Sequence, residues 1–181
     1  MEGLKSMVIA AIRTKKELET ALDSETDVIF DLNPDLFSLA ENVRKAHEKN
    51  KKLYVHIDFA SGIGKDKMGI QFVKKMGVDG IISTRVNIIK LAREEGIFTI
   101  QRFFIVDSRS VDTTAESLRV SKPDMIEIMP GILPKVIADL KEKAGVPIIA
   151  GGLIETKEEV LEALDSGATA VSTGKKELWG V

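Results

Sequence analysis

The stretch PIIAGGLIETKEEVLEALDSGATAVSTG, residues Pro147–Gly174, decides the fold. An apolar run stops at Gly151 and Gly152, an amphipathic segment follows, and a second apolar run stops at Ser172, Thr173 and Gly174. Thr156 has Glu159 three residues on, the spacing of a capping box, so a helix is predicted to start there. Val160, Leu161 and Leu164 supply its apolar face, and Gly167 is its C-terminal stop. The unit therefore reads strand, helix, strand.

Outward from this unit the pattern repeats. Strand-like runs occur at Met7–Ile12, Val28–Leu32, Leu53–Phe59, Gly80–Thr84, Phe98–Phe103, Met125–Met129, Pro147–Ala150 and Ala170–Ser172. Helical patterns lie between them, near Lys15–Leu22, Asp35–Lys49, Lys67–Met76, Asn87–Glu95, Ser110–Ser121, Leu133–Lys143 and Lys157–Leu164, with further glycine stops at Gly77, Gly96 and Gly145. Runs nearly continuous in Ile, Val and Phe are covered on both faces, as in parallel sheets. Eight such repeats in 181 residues suggest an α/β fold, a compact (β/α)8 TIM-type barrel forming a single domain over 1–181; an open doubly wound sheet is the alternative. Only KKELWGV follows the last strand, so the final helix is expected to be short or missing.

Composition narrows the function. There is no cysteine, which removes disulfides, thiol nucleophiles and Cys-based metal sites, and two histidines, His47 and His56, cannot alone build a His-rich zinc site. No metal and no cofactor is expected. The apolar run Met7–Ile12 is too short for a signal peptide or a membrane span, so a cytoplasmic protein with no membrane partner is expected. A net charge of -2 offers nucleic acid no global basic field, so such a partner would have to meet a local patch.

In barrels, the loops after strands seven and eight often hold phosphate. Gly151 and Gly152 end the seventh strand; Ser172, Thr173 and Gly174 end the eighth, followed by Lys175. Glycines let backbone N–H groups approach an anion, and hydroxyls and an ammonium suit it. The same glycines also suit a tight strand-to-helix turn; their occurrence on neighbouring strands favours phosphate. An internal echo runs from Gly62 and Gly77 to Gly152 and Gly167, with equal intervals and a Ser-Thr strand end in each half, as in a half-barrel repeat.

Polar residues also interrupt the strands near their C-terminal ends. His56 and Asp58 share a face by alternation, Ser83 and Arg85 share another, either Gln101 or Arg102 points inward, and Glu127 shares a face with Met125 and Met129. Buried carboxylates need partners, so Asp58 and Glu127 are expected to face Arg85, Arg102 or a ligand. An ion-pair layer closing the barrel is the structural alternative. Asp31 either joins the rim or opens a loop. As an acid or base, Asp58, Glu127 or Asp31 would serve, yet no lysine lies mid-strand and no catalytic pair is visible. Phe59, Phe103, Phe104 and Trp179 are aromatic candidates for stacking on unpaired bases, or for capping the core or a homo-oligomer interface.

HIDFASGIGKDKMGIQFVKKMGVDGIISTR, TIQRFFIVDS, KPDMIEIMPG, PIIAGGLI and AVSTGKKELW together resemble the glycerol uptake operon antiterminator family of bacteria, from about residue 6 to Trp179. The resemblance implies a barrel-like fold and a regulator rather than an enzyme. It implies glycerol 3-phosphate as effector and the operon leader mRNA as partner. It makes Gly151, Gly152, Ser172, Thr173 and Gly174 the phosphate binders. His56, Asp58, Ser83, Arg85, Gln101, Arg102 and Glu127 become the polar lining by strand position, with no catalytic residue. The rival reading is an isomerase, aldolase or synthase acting on a small sugar phosphate at the same mouth, with Asp58 or Glu127 as base.

Overall fold

Parallel strands need a long crossover, and each amphipathic segment supplies one. The computed structural model describes residues 6–180. Met1–Lys5, the start of the segment read above for a leader, and Val181 lie outside the described residues. The strands are β1 (Val8–Ile12), β2 (Val28–Asp31), β3 (Lys52–His56), β4 (Gly80–Ser83), β5 (Phe98–Phe104), β6 (Met125–Met129), β7 (Ile148–Gly151) and β8 (Ala170–Thr173). Each pairs in parallel with the next and β8 pairs with β1, so the sheet closes into a barrel. The open-sheet alternative is thereby excluded. Around it lie α1 (Lys15–Leu22), α2 (Leu39–Glu48), α3 (Lys67–Lys75), α4 (Val86–Glu94), α5 (Ser108–Ser121), α6 (Pro134–Ala144) and α7 (Lys157–Asp165).

Strand alternation divides the apolar residues into two cores. Ile29, Leu53, Val55, Ile81 and Val171 face the helices. Ile9, Phe30, Tyr54, Ile82, Ile100, Met125 and Ile149 fill the barrel. Tyr54 packs edge-on against Phe30 and Phe98, at centroid distances of 5.7 and 5.8 Å. A Cβ on Gly80 would lie 2.2 Å from the Tyr54 ring, so glycine is what admits the tyrosine to the barrel.

Two boundaries differ from the sequence reading. The third run leaves the sheet at His56 and closes as a 3-10 turn, Ile57–Phe59. The Asp58 carboxylate accepts from the Thr84 N–H at 2.8 Å and the Ser83 hydroxyl at 2.6 Å, which bends the chain toward β4. The second helix starts at Leu39 rather than Asp35, because the Asp35 carboxylate accepts from the amides of Phe37 and Ser38, both at 3.0 Å. The Thr156–Glu159 capping box forms as read: the Glu159 N–H donates to Thr156 Oγ1 at 3.2 Å, and the Thr156 N–H to Glu159 Oε2 at 3.0 Å.

The expected short ending is a 3-10 turn, Lys176–Leu178. Trp179 takes over the work of a missing helix. It is 1% exposed and its indole N–H donates to the Thr173 carbonyl at 2.9 Å. Trp179 is thus core, and Phe103 is half-buried, so neither is the exposed stacking aromatic that the sequence suggested. Trp179→Ala should lose about 3–5 kcal/mol of stability. Urea denaturation followed by far-UV circular dichroism measures this, since the substitution removes the chain's one tryptophan; a loss under about 1 kcal/mol would contradict the capping role.

Candidate ligand site at the barrel mouth

Two residues beyond the apolar layer, the barrel interior turns polar. Tyr54 is followed by His56, Ile100 by Arg102, Met125 by Glu127 and Ala170 by Ser172, the alternation of a strand carrying each onto the same inward face. Arg102 Nε donates to Glu127 Oε2 at 2.6 Å, and Ser172 Oγ donates to Glu127 Oε1 at 2.5 Å. Glu127 is fully buried, so both carboxylate oxygens find donors where water cannot reach. Gly151 explains its own identity here: a Cβ would lie 2.5 Å from both Glu127 Oε1 and Ser172 Oγ.

Above this layer opens a cleft of about 340 Å³ lined from β1, β2, β5, β6, β7 and β8, including Arg13, Arg102, Leu153, Gly174 and Lys175. Gly152 and Leu153 have positive φ, 76° and 62°. Leu153 is the costly one, because a side chain rarely adopts that region. Among the described residues, Leu153 and Gly174 make no hydrogen bond, so their amides remain available at the ends of adjacent strands. The Arg13 guanidinium stands beside them, with Nη1 3.7 Å from the Cβ position of Gly174. Free amides, a guanidinium and Lys175 meet on this wall, with Glu155 also at its edge, and the donors are of the kind that suits an oxyanion.

The two strand-end hydroxyls are committed elsewhere. The Ser172 proton is spent on Glu127. Thr173 faces outward, where its Oγ1 donates to the Ile154 carbonyl at 2.8 Å and accepts from the Lys175 N–H at 3.0 Å. They shape the cleft rather than supply its donors. Arg13 is the residue that sequence reasoning missed. It directly follows the first apolar run, and closure of the barrel is what brings that run beside the eighth.

The opposite wall belongs to β3 and β4. Asp58 accepts from Ser83 Oγ, the Thr84 N–H and Thr84 Oγ1 (2.6, 2.8 and 2.9 Å), and Arg85 Nε lies 3.9 Å away. Burial pushes this carboxyl up, but the hydrogen bonds outweigh it and hold it below the usual aspartate range. Ser83 faces outward and Arg85 is exposed at the rim. Of the Gln101–Arg102 pair, Arg102 points inward. Gln101 turns to α5, where its amide donates to Ser117 Oγ at 3.1 Å and its carbonyl accepts from Ser121. It is not part of the polar lining, because strand alternation gives the interior to its neighbour.

Asp31 also faces outward, into a separate pocket of about 90 Å³ with Asn33 and Asn42, and burial pushes it up to about 6. His56 is the exception in the interior. It is fully buried and neither ring nitrogen has a hydrogen-bond partner; Asp58 Oδ2 lies 4.0 Å from Nδ1 and the Phe59 ring 4.6 Å away. Burial, with Arg102 nearby, lowers it to about 4.

Residues 8–179 match the family model described as glycerol-3-phosphate responsive antiterminator. The chain belongs to that family. The chain is 39% identical over 173 residues to the protein YgcP of Escherichia coli, covering 95% of this chain and 91% of that one. It is 34% identical to the glycerol uptake operon antiterminator regulatory protein of Listeria monocytogenes, whose crystal structure superposes with a TM-score of 0.93 over 99% of this chain and 97% of that one. A glycerol uptake operon antiterminator-related protein of Thermotoga maritima is 33% identical, with a TM-score of 0.86 and coverage of 97% and 98%. Among the described residues, no group of three or more acidic or histidine side chains is placed to hold a metal, and no helix is long and apolar enough to cross a membrane.

The two shifted groups oppose each other in acid. His56 stays neutral down to about pH 4 while the unfolded chain takes up its proton near 6.5, so stability falls as pH drops through that window. Asp31 takes up its proton near 6, before the unfolded chain does near 3.8, so stability rises as pH drops through that one. His56→Leu should therefore flatten the acid loss, and Asp31→Asn should steepen it, each by about 2–3 kcal/mol between neutral pH and pH 4. Urea midpoints across that range check both; parallel profiles for all three proteins would refute the assignment.

Proposed function

We propose that the chain senses glycerol 3-phosphate in the mouth cleft and, when liganded, binds the leader of a glycerol operon transcript in the cytoplasm. The observation that carries this reading is the anion wall: free amides on Leu153 and Gly174, with Arg13 and Lys175 beside them. Gly152 turns the chain that presents them. Arg102 and the Glu127–Ser172 pair form the floor against which the glycerol hydroxyls would rest. His56, Asp58 and Arg85 stand on the far side, with Ser83 holding Asp58 from behind. Ligand-dependent ordering of the rim would shift the population toward the RNA-competent state, and a coupling of about 1–3 kcal/mol is enough to switch a modest interface.

The site also favours sensing over turnover. A general base needs a free lone pair within reach of a substrate proton. Glu127 has a donor on each oxygen, and Asp58 accepts three hydrogen bonds. Asp58 is held below the usual aspartate range, which makes it a weak base, Glu127 is committed to Arg102 and Ser172, and Asp31 faces a separate pocket.

Glycerol 3-phosphate should raise the unfolding midpoint, with about 2.7 kcal/mol of stabilisation at 100 times its dissociation constant. Glycerol should not. Arg13→Ala should weaken the response about tenfold or more, the scale of a lost charge-assisted contact. A shift with some other phosphate ester and none with glycerol 3-phosphate would refute the effector. Triose and pentose phosphates incubated with the pure protein should remain unchanged. In filter binding, the operon leader should be retained only with ligand; equal retention without it would remove the antitermination mechanism.

A further inference from the structure

Among the described residues, eleven large apolar side chains are exposed, and eight of them sit at the barrel mouth, seven in the loops or first helical turns after the strands and Phe104 at the end of β5. Three are phenylalanines: Phe37 at 94%, Phe59 at 60% and Phe104 at 58% exposure. Phe37 and Phe59 follow β2 and β3, Phe104 ends β5, and Arg85, with its side chain 54% exposed, follows β4 between them. The anion wall occupies the other arc, on β7, β8 and β1. The mouth is therefore divided. One arc presents donors to a small oxyanion, and the other presents aromatic faces and a guanidinium to solvent.

We propose that this crescent, Phe37, Phe59 and Phe104 with Arg85, is where unpaired RNA bases stack. The inference rests on the RNA-binding reading above and assigns its surface. Exposed aromatic faces accept any unpaired base, and a guanidinium plane stacks equally well or takes a phosphate. Charge agrees with this occupant. Of the acidic residues of the same arc, Asp58 is held by β4, and Asp35, Asp66 and Asp107 each accept a backbone N–H at a turn or helix start, Asp66 and Asp107 at the exposed surface. Arg109 and Lys135, in the first turns of α5 and α6, remain exposed cations on the same rim. A chain with a net charge of -2 needs such a local patch to hold RNA at all. Phe59 also covers the unbonded His56 ring, so the crescent touches the interior layer that the ligand would rest on.

The test begins by selecting RNA against the full chain from a random-sequence pool with saturating glycerol 3-phosphate. The selected RNA is then titrated by fluorescence anisotropy. Phe37→Ala, Phe59→Ala and Phe104→Ala should each weaken binding about fivefold or more, the scale of one lost stacked base. Phe→Trp at the same positions should retain it, and the thermal shift with glycerol 3-phosphate should be unchanged in all six variants, which also verifies folding. If no RNA is recovered from the pool, the RNA-binding reading itself falls. If RNA is recovered but the alanine variants bind as the parent does, the crescent assignment alone falls. If the alanine variants instead change the oligomeric state in sedimentation and leave RNA binding intact, the surface is a protein interface and the proposal is overturned.

Discussion

A carboxylate at the centre of a closed barrel has no access to water, and the upper half of this structure is arranged around that constraint. Glu127 is held by Arg102 on one oxygen and Ser172 on the other, from β5 and β8 on either side of β6 and β7. Removing one partner from such a pair leaves an uncompensated buried charge, at a cost of about 3–5 kcal/mol. The intervening strand must then have no side chain at this level, which is why β7 ends in Gly151. Once β7 ends in glycine, the next two residues turn through positive φ and point amides into the cleft. The anion wall follows from the barrel's own electrostatic problem. The Arg102–Glu127 pair carries no net charge, so the floor of the cleft holds no uncompensated carboxylate.

The two halves of the mouth use one turn design with different chemistry. Ser83 Oγ accepts from the Arg85 N–H at 3.1 Å, and Thr173 Oγ1 accepts from the Lys175 N–H at 3.0 Å. Each hydroxyl donates across to the loop after the preceding strand, to Asp58 Oδ1 or to the Ile154 carbonyl. The matching residues are thus Ser83 and Thr173, one position off the Ser-Thr alignment that the letters suggest. The divergence lies in what the loop before offers. After β3 it is a carboxylate, which holds Arg85 and repels anions. After β7 it is a carbonyl, already satisfied, with a free amide beside it.

The barrel was legible because its signal is periodic and repeated. Apolar runs, glycine stops and the Thr156–Glu159 box each recur at the spacing that physics requires, so errors at single boundaries do not accumulate. The interior polar set was half legible. Alternation put His56, Arg102 and Glu127 on one face, but it could not choose between Gln101 and Arg102 without the β5 register. Arg13 was invisible for a different reason. It belongs to the site only because β8 pairs with β1, a contact between the two ends of the chain that no local pattern encodes. Hydroxyl direction was equally hidden: Ser172 and Thr173 are adjacent letters on opposite faces, and strand phase decides that neither proton reaches the cleft. Trp179 looked available because it stands near the end of the chain, whereas a missing eighth helix made it core.

What separates a sensor from an enzyme on this scaffold is which polar group is left unsatisfied. A catalytic barrel keeps a base free at the mouth, with its pKa tuned toward the working pH. Here the two buried carboxylates of the interior, Glu127 and Asp58, are hydrogen-bonded, and among the described residues the buried side chain without partners is His56, lying between Arg102 on the cleft floor and Asp58 on the β3–β4 wall. Its neutral ring can gain a hydrogen bond only if a neighbour moves. The 4.0 Å gap to Asp58 is slightly too long for one, and the Phe59 ring closes the solvent side. A ligand that draws Arg102 toward its own oxygens changes the field on His56, and the nearest group able to respond is Asp58, which holds Thr84 and Arg85 at the rim. Under the proposed function, grip at one arc and response at the other would require no chemistry on the ligand, only a buried ring whose hydrogen bonds are not yet made.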